Sequence, residues 1–253
     1  MYITFIIGTA GSGKSTLTSR YSNWLKMKNQ DVITVNLDPG ALNLPYTPDI
    51  DIRDNISIYD LMENYNLGPN GALIMAADLI AEQTTTLNEM IEDYKADYII
   101  IDTPGQMELF AFRQSGPYIA NELSGDSKAV LYLFDAAFSN DPLNYVSNMF
   151  LATAVYNRFL LPQVHILSKS DLVSKKDLKK ILDWSARAKS LELALEEQLS
   201  EMRRVLSKDI AEAIRRLGLV FSLFSVSSKT DAGFINLHAA LTRIFSGGEE
   251  ITE

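Results

Sequence analysis

The chain has 253 residues, 47% of them hydrophobic, enough to bury one large α/β core. It has no cysteine, which excludes disulfides, zinc–thiolate clusters and thiol catalysis. A formal net charge of -9 opposes binding to nucleic-acid backbones, and no apolar stretch approaches the ~20 residues a membrane-spanning helix needs.

The first predicted element is a buried strand, Tyr2–Ile7. It starts so early that no signal or transit peptide is expected, and a soluble, cytoplasmic protein is the expectation. Gly8-Thr9-Ala10-Gly11-Ser12-Gly13-Lys14-Ser15 follows and fits G-x-x-x-x-G-K-[ST], the phosphate-binding P-loop. Glycines let backbone N–H groups turn inward around a polyphosphate, and the next helix, predicted over 15–28, adds its positive end. Gly11, Ser12, Gly13, Lys14, Ser15 and Thr16 are therefore the predicted phosphate-binding residues. Lys14 reaches the β- and γ-phosphates, and the Ser15 hydroxyl is placed for Mg²⁺.

A second strand, predicted over 31–36, ends at Asn36-Leu37-Asp38-Pro39-Gly40. Asp-Pro-Gly is a good turn, but Asp38 falls on the sheet edge that forms the ligand crevice in open α/β sheets, where it can hold Mg²⁺ or polarise water. Residues 49–94 read as a helical insertion around the turn Asn66-Leu67-Gly68-Pro69-Asn70-Gly71. A third strand, Tyr98–Asp102, runs into Thr103-Pro104-Gly105-Gln106. Asp102 is placed near Mg²⁺, the Gly105 N–H near a γ-phosphate, and Gln106 where related hydrolases orient attacking water.

Further strands are predicted over 129–134, ending at Asp135, and over 163–167. The second leads into Ser168-Lys169-Ser170-Asp171, which resembles the [NT]-K-x-D element of GTPases. The Asp171 carboxylate can accept from guanine N1–H and the N2 amino group, whereas adenine would leave it unpaired. Lys169 can lay its stem against the base. Ser168 replaces Asn or Thr, and its shorter side chain is expected to brace the P-loop less well. A helical insertion over 174–217 carries an amphipathic arm, 185–217, with Leu191, Leu195, Leu199, Met202, Leu206, Ile210 and Ile214 on one stripe. The stripe serves either core packing or a partner-binding face. After a last strand, predicted over 219–224, Ser225-Val226-Ser227-Ser228-Lys229 fits a loop that closes over the base, with Ser227 as a nucleotide contact; the tail from Gly247 reads as frayed. Apolar runs alternating with helical patterns predict a single α/β domain over 1–253, a three-layer P-loop NTPase fold with a mostly parallel sheet.

The P-loop, Asp102–Gln106, Ser168–Asp171 and Gly68-Pro69-Asn70 together resemble the GPN-loop GTPases, and the resemblance covers essentially the whole chain. By itself Gly-Pro-Asn is an ordinary turn. The chain is similar to the archaeal-type member, and the resemblance implies a homodimer in which Gly68, Pro69 and Asn70 enter the partner's site. Asn70 would act there much as an arginine finger does, with Arg113 and Arg158 as alternative fingers. It further implies GTP/GDP with Mg²⁺ held by Ser15 and Asp102, and catalysis by Lys14, Asp38, Gln106 and Asn70. Eukaryotic relatives assist RNA polymerase assembly, so RNA polymerase components are client candidates by family inference alone. Alternatives are a dimeric ATPase of the partitioning or metallocluster-carrier type, a small-molecule kinase, and a nucleotide-gated scaffold without turnover. Against the first two stand the lack of a second early P-loop lysine and of an arginine-rich lid.

Overall fold

Strand β1 (Tyr2–Gly8) lies in the middle of a seven-stranded sheet because both of its faces are apolar: Ile3, Phe5, Ile6 and Ile7 are all at most 1% exposed. The computed structural model describes residues 1–198, 205, 209–213, 216 and 222–247. The other strands are β2 (Val32–Asn36), β3 (Ile50–Asp51), β4 (Tyr98–Asp102), β5 (Ser127–Asp135), β6 (Gln163–Ser168) and β7 (Leu223–Ser225). Their order is β3-β2-β4-β1-β5-β6-β7, and every pairing within it is parallel.

Alternate residues of each strand feed two apolar layers. Ile3, Phe5, Ile33, Val35, Ile99, Ile101, Tyr132 and Phe134 face one side. Ile6, Ile100, Leu131, Leu133, Val164 and Ile166 face the other, where Leu17, Tyr21 and Leu25 of helix α1 (Lys14–Met27) and Phe234, Leu237 and Leu241 of the last helix (Phe234–Phe245) close over them. The chain leaves β1 first toward β4 and β2, then toward β5 and β6. The strand C-terminal ends at that reversal form the crevice where ligands bind in such sheets.

Of the predicted strands, Tyr98–Asp102 is present with the same bounds and the others with shifted ends; for the last, residues 219–221 lie outside the described residues. The two-residue β3 was not predicted. Residues 49–94 hold three helices, α2 (Ile58–Tyr65), α3 (Pro69–Glu82) and α4 (Thr84–Asp93). Here the reading of Gly-Pro-Asn as a plain turn is corrected: Gly68 is the N-cap of α3 and Pro69 its first residue, so the tripeptide opens a 14-residue helix. The arm is also not one helix. After α5 (Met107–Phe110), α6 (Ser115–Glu122) and α7 (Pro142–Phe159) come α8 (Lys175–Ala186) and α9 (Ala188–Gln198), separated by extended Arg187. Leu191 and Leu195 are buried in the first layer, which favours core packing for that part of the stripe; Leu199, Met202, Leu206 and Ile214 lie outside the described residues.

His165 on β6 is 7% exposed, and burial pulls its imidazole down to about 4 from 6.5. Between those values the unfolded chain takes up a proton that the native state refuses. The stabilisation is therefore full above about pH 6.5 and is lost as pH falls toward 4, by up to about 3 kcal/mol. We expect His165→Gln to flatten the fall of Tm across that window; an unchanged slope would assign acid sensitivity to other groups.

Candidate active site

The P-loop turns on Gly11 (φ 74°) and Gly13 (φ 97°), left-handed positions strained for a residue with a Cβ. Gly13 is the N-cap of α1, so the first N–H groups of the helix open into the loop. Lys14 is 5% exposed, and its Nζ donates to the carbonyls of Gly8 (2.9 Å), Thr9 (3.1 Å) and Gly105 (3.4 Å). Burial lowers its pKa, with Asp102 and Asp38 opposing the shift. Ser12 Oγ is buried with no hydrogen-bond partner among the described residues, whereas Thr16 is exposed on the first turn.

Asp102, at the end of β4, is 1% exposed. Its Oδ2 accepts from the Tyr46 hydroxyl at 3.1 Å, while its Oδ1 is buried with no hydrogen-bond partner among the described residues. Burial pushes its carboxyl up to about 6, against the pull of the Ser15 and Tyr46 hydroxyls and of Lys14. An orphaned carboxylate oxygen near a serine hydroxyl is the hard-oxygen donor set that Mg²⁺ takes, so Ser15 and Asp102 fit the ion. Tyr46 was not foreseen. Its loop is docked to α1 by Ser19 Oγ on the Pro45 carbonyl (3.1 Å), a tertiary contact with no local signature.

Asp38 caps its own turn, Oδ1 accepting from Gly40 N at 2.9 Å, while Oδ2 accepts from Gly105 N at 3.0 Å. The Gly105 N–H predicted to face a phosphate is thus held by a carboxylate of the same chain. Asp38 and Gln106 line one cavity of about 170 Å³ with Pro104, Gly105, Leu73 and Leu109. Gln106 is exposed at the N-cap of α5.

On the base side the expectation for Ser168 is corrected. Its hydroxyl lies 2.8 Å from the Ser12 carbonyl and 3.2 Å from that of Phe134, so it braces the P-loop. β6 runs one residue further than predicted and pairs Ser168 with Asp135, which carries the short side chain within reach. Lys169 Nζ bridges the Gly11 carbonyl and Asp135, the latter at 2.7 Å. Asp171 Oδ1 accepts from the Ser227 hydroxyl at 2.6 Å, and Ser227 Oγ in turn accepts from the N–H groups of Lys229 (3.2 Å) and Thr230 (3.3 Å). Those bonds fix how the Ser225–Lys229 segment sits against Asp171.

Gly68, Pro69 and Asn70 are exposed at the start of α3, and none of the described hydrogen bonds joins Asn70 to its own P-loop. Arg113 pairs with Asp78 (3.2 Å), and Arg158 donates to the carbonyls of Ala111, Phe112 and Arg113 (3.0–3.5 Å), so both alternative fingers are engaged in the fold. His238 meets the Tyr21 hydroxyl at 3.1 Å, and His165 meets Gln163 at 3.0 Å.

A family model described as a conserved hypothetical ATP-binding protein matches residues 6–247. GPN-loop GTPase 3 of Schizosaccharomyces pombe is 35% identical over 188 residues, 71% of this chain and 68% of that protein. GPN-loop GTPase 1 of Saccharomyces cerevisiae is 35% identical over 194 residues, 76% of this chain but 50% of that protein. The chain therefore spans about half the length of that relative. Among solved structures, a GTPase from Pyrococcus abyssi in its apo form superposes with a TM-score of 0.86 at 29% identity, covering 96% of this chain and 97% of that one.

Proposed function

This chain belongs to the GPN-loop GTPase family, and on that premise we propose that it binds GTP with Mg²⁺ and hydrolyses it as a cytoplasmic, homodimeric switch or assembly factor. The observation that carries the reading is the convergence of Asp38, Gly105 and Gln106 on one cavity, with Lys14 on the Gly105 carbonyl. It supports direct in-line attack by water on a γ-phosphate. Lys14 exchanges its loop carbonyls for the β- and γ-phosphate oxygens. A γ-phosphate oxygen takes the Gly105 N–H, which releases Asp38 Oδ2 to hold the attacking water together with Gln106. Ser15 and Asp102 would hold Mg²⁺, which when bound would supply charge neutralisation on the phosphates. Asp171 reads guanine, with Ser227 fixing its rotamer and Lys169 beside the base.

Asn70, exposed at a helix start, suits action in trans: its amide offers two donors to phosphoryl oxygens without adding charge. Single-turnover assays with GTP and with ATP test the class. Phosphate release from GTP alone is expected; equal release from ATP would favour the dimeric ATPase, and release of intact GTP a scaffold. The trans role has its own test. Asn70→Ala and Lys14→Ala chains should each be nearly inactive alone, whereas their mixture should recover activity, because a mixed dimer pairs one intact P-loop with one intact Asn70. Failure of two well-folded, dimer-competent variants to complement each other would remove Asn70 from the partner's site.

A further inference from the structure

Asn36 ends β2 at 0% exposure, where an amide is tolerated only when its polar atoms are paired. Its Nδ2 donates to Asp51 Oδ1 (3.0 Å) and to the Asp38 carbonyl (3.2 Å), and its Oδ1 accepts from the Asp38 N–H (3.0 Å). Flipping the amide would set N–H against N–H and carbonyl against carboxylate, so the network dictates one orientation. Asp51 stands opposite Asn36 because the two-residue β3 pairs Ile50 with Val35 and Asp51 with Asn36. Burial pushes the Asp51 carboxyl up, but hydrogen bonds from Arg53 and Asn36 outweigh it and hold the group below its ordinary value. Arg53 grips both Asp51 oxygens through Nε and Nη2 at 2.6–3.1 Å, while its Nη1 donates to the Ala41 carbonyl at 2.7 Å.

Asp38 and Ala41 bound the turn that carries the carboxylate. Both ends of that turn are tied to Asp51, one through Asn36 and the other through Arg53. Among the described hydrogen bonds, none links Asn36, Asp51 or Arg53 to the P-loop, Gly105 or Gln106. We propose that Asn36, Asp51 and Arg53 form a positioning relay for hydrolysis, fixing the direction in which Asp38 presents its carboxylate to the cavity. The inference rests on the reading that Asp38 orients the attacking water. A displaced supporting residue loosens such a group without removing it, and losses of tenfold or more follow from small misplacements.

The test is a double-mutant cycle on the full chain with GTP and Mg²⁺, read both as single-turnover rate and as GTP affinity. Arg53→Lys keeps a cation but loses the planar fork that reaches Asp51 and Ala41 at once. It is expected to slow hydrolysis about tenfold with GTP affinity changed by less than about twofold, and Asn36→Ala to slow it further. In an Asp38→Ala background neither substitution is expected to slow hydrolysis any more, because the group they aim is gone. Additive losses there, or losses shared by affinity and rate, would overturn the relay and leave the three residues a purely structural role. Arg53 is on the partly exposed rim, so Arg53→Lys keeps the test open if Asn36→Ala does not fold. Fast hydrolysis by both variants beside a slow Asp38→Ala overturns the relay alone. Fast hydrolysis by Asp38→Ala overturns the reading beneath it.

Discussion

Asp38→Ala should slow single-turnover GTP hydrolysis by about 10²-fold or more, while the affinity for GTP rises rather than falls. The two effects have one origin. Asp38 Oδ2 occupies the Gly105 N–H at 3.0 Å, and a γ-phosphate oxygen needs the same donor. An N–H shared between two anions favours one at a time, so the carboxylate competes with the incoming phosphate and stands beside it once displaced. Removing the carboxylate ends the competition, takes one negative charge from the phosphate edge, and leaves the attacking water with Gln106 alone. GDP lacks the competing phosphate, and its affinity should change little. Gln106→Ala should slow hydrolysis without tightening GTP, since Gln106 makes no described bond to Gly105. Rapid-quench hydrolysis with a fluorescent-nucleotide titration measures both quantities. If Asp38→Ala and Gln106→Ala both turn over normally, water positioning lies elsewhere.

Asp171→Asn should weaken GTP by about 10²-fold or more and shift preference toward XTP. Xanthine presents a carbonyl where guanine presents its amino group, so an amide donor replaces a carboxylate acceptor with matching geometry. Ser227 makes the prediction sharper. Its hydroxyl donates to Oδ1 at 2.6 Å, which will hold the amide oxygen and turn the amide N–H groups toward the base. Competition of unlabelled GTP, ATP and XTP against a fluorescent GTP analogue reads this directly. Equal competition by ATP on the unmodified chain would reduce Ser168–Asp171 to a turn, and the description of the matched family model as ATP-binding would then describe this site.

The sheet was legible in the sequence because its strands are short, nearly continuous Val/Ile/Leu/Phe runs, and the motifs hang from their C-terminal ends. β3 was not, because it has two residues, one of them an acid whose value lies in what it holds. The Gly-Pro-Asn turn was misread because proline is equally at home in a turn and at the first position of a helix; the apolar run behind it, Ala72 to Ile80, packs on the core and decides for the helix. The P-loop, Asp102 and Asp171 were proposed from pattern alone, and the structure adds the Ser227 hydroxyl donating to Asp171. Tyr46 on Asp102 and the clasp of Asp38 on Gly105 were not, since both join distant segments whose meeting no local spacing encodes. Ser168 was judged by side-chain length, and a one-residue extension of β6 was the missing quantity.

The central place of β1 has a consequence during synthesis. Its two hydrogen-bonding edges are covered by β4 and β5, and Tyr2 finds its first neighbour in Tyr98. A ribosome adding about 5–20 residues per second keeps that strand waiting for roughly 5–20 s. Through that interval the apolar segment has two uncovered edges, the form most open to pairing with another molecule. The P-loop that follows β1 therefore reaches its final setting only after β4 and β5 have been made, so the loop is specified well before the sheet that fixes it.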